Sequence, residues 1–181
     1  MSEELIVRHC SPTLAGLKTG NLFRCSFTCE KALRREICSL NRKLAAKGLC
    51  FLPLAIQNKT ALIYLYRPDR LKADLCSKEA GAILARQGYL PQQPARCLLR
   101  LRDRLQEGQS FPHEIGLFLG YPPEDVQGFI RQQTPTYVGH WKVYGDAKKA
   151  QATFDSYKKC TEAYTRRLER GQTLEKLVIG A

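Results

Sequence analysis

The densest chemistry in this chain lies in two adjoining stretches. FPHEIGLFLGYPPEDVQGFI carries His113 and Glu114, and YVGHWKVYGD beyond it carries His140, Lys142 and Tyr144. An imidazole beside a carboxylate suggests proton transfer, with His113 or Glu114 giving or taking the proton. Sequence neighbours on a helix point about 100° apart, so the two do not face one ligand squarely. A zinc-protease site needs a second histidine one turn on, in the pattern HExxH, and Leu117 stands there instead. The plainer alternative makes Glu114 a helix-dipole partner and His113 an exposed polar residue.

A second set of residues suits an anion. In HCSPTLAGLKTGNLF, Ser11 reads as a helix N-cap with Pro12 at the first helical position, Thr13 in the first turn and Lys18 nearby. Unpaired backbone N–H groups at such a start form a cradle for phosphate or carboxylate, although most caps serve only their own backbone. Arg67 closes an apolar strand just before Pro68 and can hold an anion with Lys142 and Tyr144, or pair with Asp69. His9 and Cys10 are neighbours that face opposite ways in an extended segment, which argues against a nucleophile–base dyad.

Eight cysteines fall at 10, 25, 29, 38, 50, 76, 97 and 160, with no CxxC pair among them. With no signal peptide at the start, the expectation is a cytoplasmic, soluble chain of free thiols. Cys38 and Cys97 on amphipathic helices and Cys50 at a strand start are expected to act as small buried hydrophobes. Cys25 and Cys29 would need further metal ligands from afar, such as Cys10, His9 or His113, so no residues are assigned to a metal and no cofactor is specified.

Net charge is +12, with 17 Lys and Arg against 7 Asp and Glu in residues 1–100 and 12 against 10 in the rest. The basic first part favours anionic partners: small molecules, nucleic acid or lipid head groups. The longest apolar run, Leu49 to Ile56, is far short of the roughly 20 residues of a bilayer span, so no membrane partner is expected.

These groups are positioned by elements that the pattern locates. Leu22 to Phe27 reads as a strand, and Thr28 to Lys47 as a helix with Leu33, Ile37, Leu40 and Leu44 inward, closed by Gly48. Cys50 to Ile56 and Thr60 to Tyr66 form a hairpin around Gln57-Asn58-Lys59, central in a sheet. One helix runs to Ala85 and another from Pro94 to about Gln106, the latter carrying Arg96, Arg100 and Arg104 in a stripe that Asp103 and Glu107 partly neutralise. Ser110 and Pro112 start a helix ending at Gly120, with His113 and Glu114 in its first turn. Pro122 and Pro123 start the next, with Glu124 and Asp125 in its first turn and Val126, Phe129 and Ile130 on one face.

Tyr137 to Tyr144 alternates as one strand with His140, Lys142 and Tyr144 on the same side. Asp146 to about Arg170 is a long helix whose apolar seam suits the core or a homodimer, and Leu174 to Ile179 reads as an added strand.

FPHEIGLFLGYPPEDVQGFI, GHWKVYGD and HCSPTLAGLKTGNLF resemble an uncharacterised bacterial protein family of unknown function, found mostly in anaerobic Gram-positive bacteria, and the resemblance spans essentially the whole chain. It supplies no activity. The family pattern favours an aromatic where His140 stands, which argues against His140 as a general catalytic residue.

The mixture of strands and helices without strict alternation predicts a single α+β domain over residues 1–181, with a small, largely antiparallel sheet and packed helices. Three functions fit. The first is a cytoplasmic enzyme or ligand-binding protein for an anionic small molecule, with His113 or Glu114 moving protons and Ser11, Thr13, Lys18, Arg67, Lys142 and Tyr144 binding. The second is a non-catalytic nucleic-acid or protein-binding module using the basic first half, and the third a cysteine-bound metal or redox protein.

Overall fold

The computed structural model describes residues 1–107 and 111–180, and Ser110, expected as a helix cap, lies outside them. The fold is α+β: a three-stranded antiparallel sheet, a two-stranded ribbon and helices around them. The chain's internal contacts divide it into two compact units, one of residues 1–69 with 159–181 and the other of residues 70–158.

In the first unit the sheet is built from β1 (Gly20–Ser26), β2 (Cys50–Gln57) and β3 (Thr60–Tyr66), ordered β1-β3-β2. Asn58 and Lys59, at φ 48° and 59°, make the left-handed turn that a twisted hairpin requires. β3 is the central strand, and Ala61, Ile63 and Leu65 on it are fully buried. β2 lies at the edge, where Pro53 costs no ladder hydrogen bond on its outer side, and a bulge follows between Pro53 and Ala55.

Helix α2 (Glu30–Leu44) covers the sheet with Leu33, Ile37 and Leu44 inward, each worth about 1.5–3 kcal/mol when buried. Gly48, at φ 70°, ends the 3-10 turn that follows. Cys38, one residue past Ile37, faces outward instead of joining the core, and Cys50 is half-buried, while Cys97 is buried as expected.

The first helix corrects the sequence reading. α1 spans Glu3–Leu14, capped by Ser2, whose hydroxyl accepts from the Leu5 N–H at 3.2 Å, with Glu3 and Glu4 in its first turn. Ser11, Pro12 and Thr13 therefore occupy its last turn, not its first. Two start signals compete in this sequence, and the earlier one wins because Ile6, Val7, Cys10 and Leu14 then fall on the buried face. The C-terminal segment is likewise a short helix, α9 (Leu174–Leu177), rather than a strand, and Leu174, Leu177 and Val178 join the same core.

In the second unit the helix expected to run to Ala85 is two, α3 (Pro68–Cys76) and α4 (Lys78–Arg86). Ser77 ends the first and caps the second by accepting from the Ala80 N–H. α5 spans Pro94–Glu107, α6 the single turn Ile115–Phe118, and α7 Pro123–Ile130. The expected strand over Tyr137 to Tyr144 is instead a tight ribbon, with β4 (Tyr137–Val138) pairing back on β5 (Lys142–Val143). The chain reverses at Gly139, whose N–H donates to the Trp141 carbonyl at 3.0 Å, so alternation does not carry across the turn.

α8 (Ala147–Glu169) follows, with Asp146 capping it through the Lys149 N–H at 3.0 Å. Ala150 and Phe154 pack with Val143 and Trp141 in the second unit. Tyr164 belongs to the core of the first, with Cys160 and Leu168 packed against it.

Candidate functional site

The residues expected to bind or act are shared between the units: Ser11, Thr13, Lys18 and Arg67 in the first, His113, Glu114, Lys142 and Tyr144 in the second. In the first unit they follow from where α1 ends. A helix C-terminus presents carbonyls and the negative end of the dipole, which disfavours an anion and favours a cation. Arg67 is that cation. Its Nε donates to the Thr13 carbonyl at 2.8 Å and its Nη2 to the carbonyls of Leu14 and Ile179 at 2.8 and 2.7 Å.

The anion cradle expected at Ser11 is thus inverted into a carbonyl-rich helix end served by an arginine. Arg67 is only 5% exposed, and its fork closes the end of α1 onto the C-terminal segment. Ser11 is fully buried and donates to the Val7 carbonyl at 2.5 Å, the back-bond of a serine within a helix. Thr13, also buried, donates to Asn21 Oδ1 at 2.7 Å. Lys18 is buried, and that burial brings its ammonium down to about 8 despite the nearby Cys10. Burial likewise pushes the Cys10 thiol far above its ordinary range, so this thiol is an inert core group.

In the second unit Glu114 and His113 go separate ways. Glu114 is buried at the start of α6, where its Oε1 accepts from Tyr89 Oη at 2.6 Å and pairs with Arg104 at 2.6 Å. Burial and the adjacent carboxylate push the Tyr89 hydroxyl well above its ordinary value. This carboxylate ties α5 to α6. Arg104 thereby leaves the basic stripe, and Arg100 meets Glu107 at 3.5 Å, so the stripe is largely spent within the chain.

His113 instead faces a cavity of about 330 Å³. Ile115, Gly116 and Val126 give it an apolar floor, and Phe111, Tyr121, Phe129, His140 and Trp141 give it aromatic walls, with Lys142 at the side. Gly116 has a steric reason to be glycine, because a Cβ there would meet Val126 Cγ2 at 2.8 Å and Tyr121 Cδ2 at 3.0 Å. Tyr144 is not among the lining residues. It packs on Gly128 of α7, where a Cβ would come within 2.4 Å of its ring.

The walls are held by a residue that the sequence reading placed only as a helix-start acid. Asp125 is 3% exposed. Its Oδ2 accepts from Trp141 Nε1 at 2.7 Å, and its Oδ1 accepts from the Tyr144 and Gly145 N–H groups at 2.7 and 2.9 Å. One carboxylate in α7 thus fixes the ribbon and the indole together by accepting from three N–H donors. The signal in the sequence was thin: an Asp early in a helix ordinarily serves its own N-terminus.

Around that latch the rings interlock. Tyr121 stacks on Trp141 at 4.5 Å with planes 24° apart, and Trp141 meets Phe154 edge-on at 4.5 Å. His113 meets Phe129 edge-on at 4.8 Å, and Lys142 Nζ lies 5.3 Å from the Phe129 centroid. His140, set aside as a general catalytic residue, also lines the cavity and packs on Phe154 at 5.2 Å. Burial pushes the Tyr121 hydroxyl up to about 12, so it stays protonated at neutral pH.

Among the described residues no group of three or more His, Cys, Asp or Glu is placed to hold a metal ion. No helix among them is long and apolar enough to cross a membrane. A family model described as a protein of unknown function, DUF3793, matches residues 6–178. No curated protein and no solved structure matches the chain.

Proposed function

Since the chain belongs to the DUF3793 family, whose function is unknown, we propose from the cavity itself that this is a cytoplasmic binding protein for an anionic small molecule, held in the second unit beside Lys142 and His113. The observation that carries the reading is the composition of the wall. An aromatic box by itself attracts cations through the ring faces. Here Lys142 already sits over Phe129, taking that face and adding a positive charge, while both oxygens of Asp125 are engaged by N–H donors. Asp125 also lines the cavity, but with both oxygens occupied the Lys142 ammonium is the charged group turned to a ligand, and a ligand's negative group gains it.

The size fits as well, since small-molecule pockets start at about 300 Å³. Where chemistry follows binding, His113, which shares the lining with His140, is the nominated group in reach to move a proton, because Glu114 is committed to Arg104 and Tyr89. Calorimetric titration with small carboxylates and phosphates at low salt tests this. Lys142→Ala and His113→Ala should each weaken binding about tenfold in a folded protein; unchanged affinity in both would remove the site.

A second reading rests on charge. The first unit holds 16 Lys and Arg against 8 Asp and Glu, and Lys31, Arg35 and Arg42 stand exposed on the outer face of α2. That face suits a nucleic-acid backbone, and predicts RNA or DNA binding that falls steeply with salt. Absence of binding at low salt would eliminate it.

A further inference from the structure

The cavity's walls say more about its ligand than its charge does. We infer that the ligand is a planar aryl anion: one aromatic ring, or a fused pair, bearing a carboxylate or phosphate, with the ring lodged among Trp141, Phe129 and Phe111 and the anionic group toward Lys142. This rests on the anion reading above and narrows it.

Three observations carry the ring. First, the wall planes are set before any ligand arrives. Trp141 is fixed by its hydrogen bond to Asp125 and by Tyr121 stacked on it, and Phe129 lies edge-on to His113. Rigid, pre-oriented rings cost little further ordering when a flat guest enters, and favour flat guests over puckered ones.

Second, Phe111 is 54% exposed while lining the cavity, so apolar aromatic surface stays in water until something covers it. Third, the volume selects. An engineered cavity of about 150 Å³ holds benzene. At about 330 Å³ this one admits a ring with an acid group and a short substituent, and is too small for a dinucleotide.

Lys142 then sets polarity and orientation. It lies over one face of the Phe129 ring, so a guest packed at the rim of that ring brings its anionic group near the ammonium. A neutral aryl compound forgoes that attraction, and an aryl cation meets repulsion.

The test uses the full chain and its single tryptophan, whose indole N–H gives one resonance in a nitrogen–proton correlation spectrum. Benzoate, cyclohexanecarboxylate and benzyl alcohol are titrated in parallel. The first two share charge and nearly share size and differ in flatness; the third keeps the ring and drops the charge. Benzoate should shift the indole resonance and bind roughly two- to tenfold more tightly than cyclohexanecarboxylate, the range that ring–ring contacts provide, and more tightly than benzyl alcohol.

Equal affinity for the two carboxylates would overturn the aryl inference while leaving the anion reading standing. Benzyl alcohol binding as tightly as benzoate would overturn the anion reading and leave the ring. No binding by any of the three would overturn both. Phe129→Leu should reduce the preference for benzoate over cyclohexanecarboxylate, a ratio that survives a partial loss of fold; an unchanged ratio would remove Phe129 from the ring's contacts and count against the inference.

Discussion

The two units place basic side chains in opposite circumstances. In the first, Arg67 and Lys18 are buried, and the Arg67 fork is spent on carbonyls at the end of α1. In the second, Lys142 stands exposed against a ring at the side of a cavity. The carboxylates divide likewise, Glu114 serving an arginine and a tyrosine and Asp125 serving an indole and two backbone N–H groups. Residue type nominated all of these but Asp125 for chemistry. Burial and partner decide which remain available for it.

Substitutions should separate the structural cations from the binding one. The largest effect is expected from Arg67→Ala, which strands several buried carbonyls and should cost about 3–5 kcal/mol in chemical denaturation. A loss under about 1 kcal/mol would mean that the fork is not holding α1 to the C-terminal segment. Asp125→Ala removes the acceptor of three N–H groups and should cost about 2–4 kcal/mol. It should also move the Trp141 fluorescence toward that of a solvated indole. An unchanged emission spectrum would contradict the latch.

Lys18→Met should do the reverse and stabilise. The folded ammonium titrates at about 8 against 10.5 for an ordinary lysine, so the unfolded chain binds more protons between those values and stability from this group rises with pH there. The substitution should therefore gain roughly 1–3 kcal/mol at pH 7, with the gain shrinking as pH climbs from about 8 toward 10.5. A loss at pH 7, or a gain that does not depend on pH, would show that the buried ammonium is compensated in place. The smallest stability effect is expected from Lys142→Ala, within about 0.5 kcal/mol, even though anion affinity falls about tenfold.

How much of this was legible depended on range. The hairpin over 50–66, α2 with its Gly48 stop, α5, α7 and the start of α8 were all readable, because their periodicity and turn residues act within a few positions. The end of α1 was not. Ser11-Pro12 is a sound start signal taken alone, and only the burial of Ile6, Val7 and Cys10 against the sheet decides for Ser2. The ribbon at Tyr137–Val143 was misread as one strand because two-residue arms leave no pattern to count.

At the site, His113 and Lys142 were nominated from sequence and do line one cavity. Glu114, adjacent to His113, was nominated with it and turned away, since its neighbours on α5 are invisible to local reading. Asp125 was missed because its partners lie 16 to 20 residues on.

The central claim is that ligand binding belongs to the cavity of the second unit and not to the basic surface of the first. It is tested most directly by mapping backbone and indole resonances of the full chain during titration with benzoate at low salt. The account predicts shifts concentrated on residues 111–116, 121–129 and 140–142, led by the Trp141 indole and reached only at about tenfold higher benzoate in Lys142→Ala. Shifts centred instead on Ser11 to Lys18 or on the outer face of α2, with the indole unmoved, would contradict it.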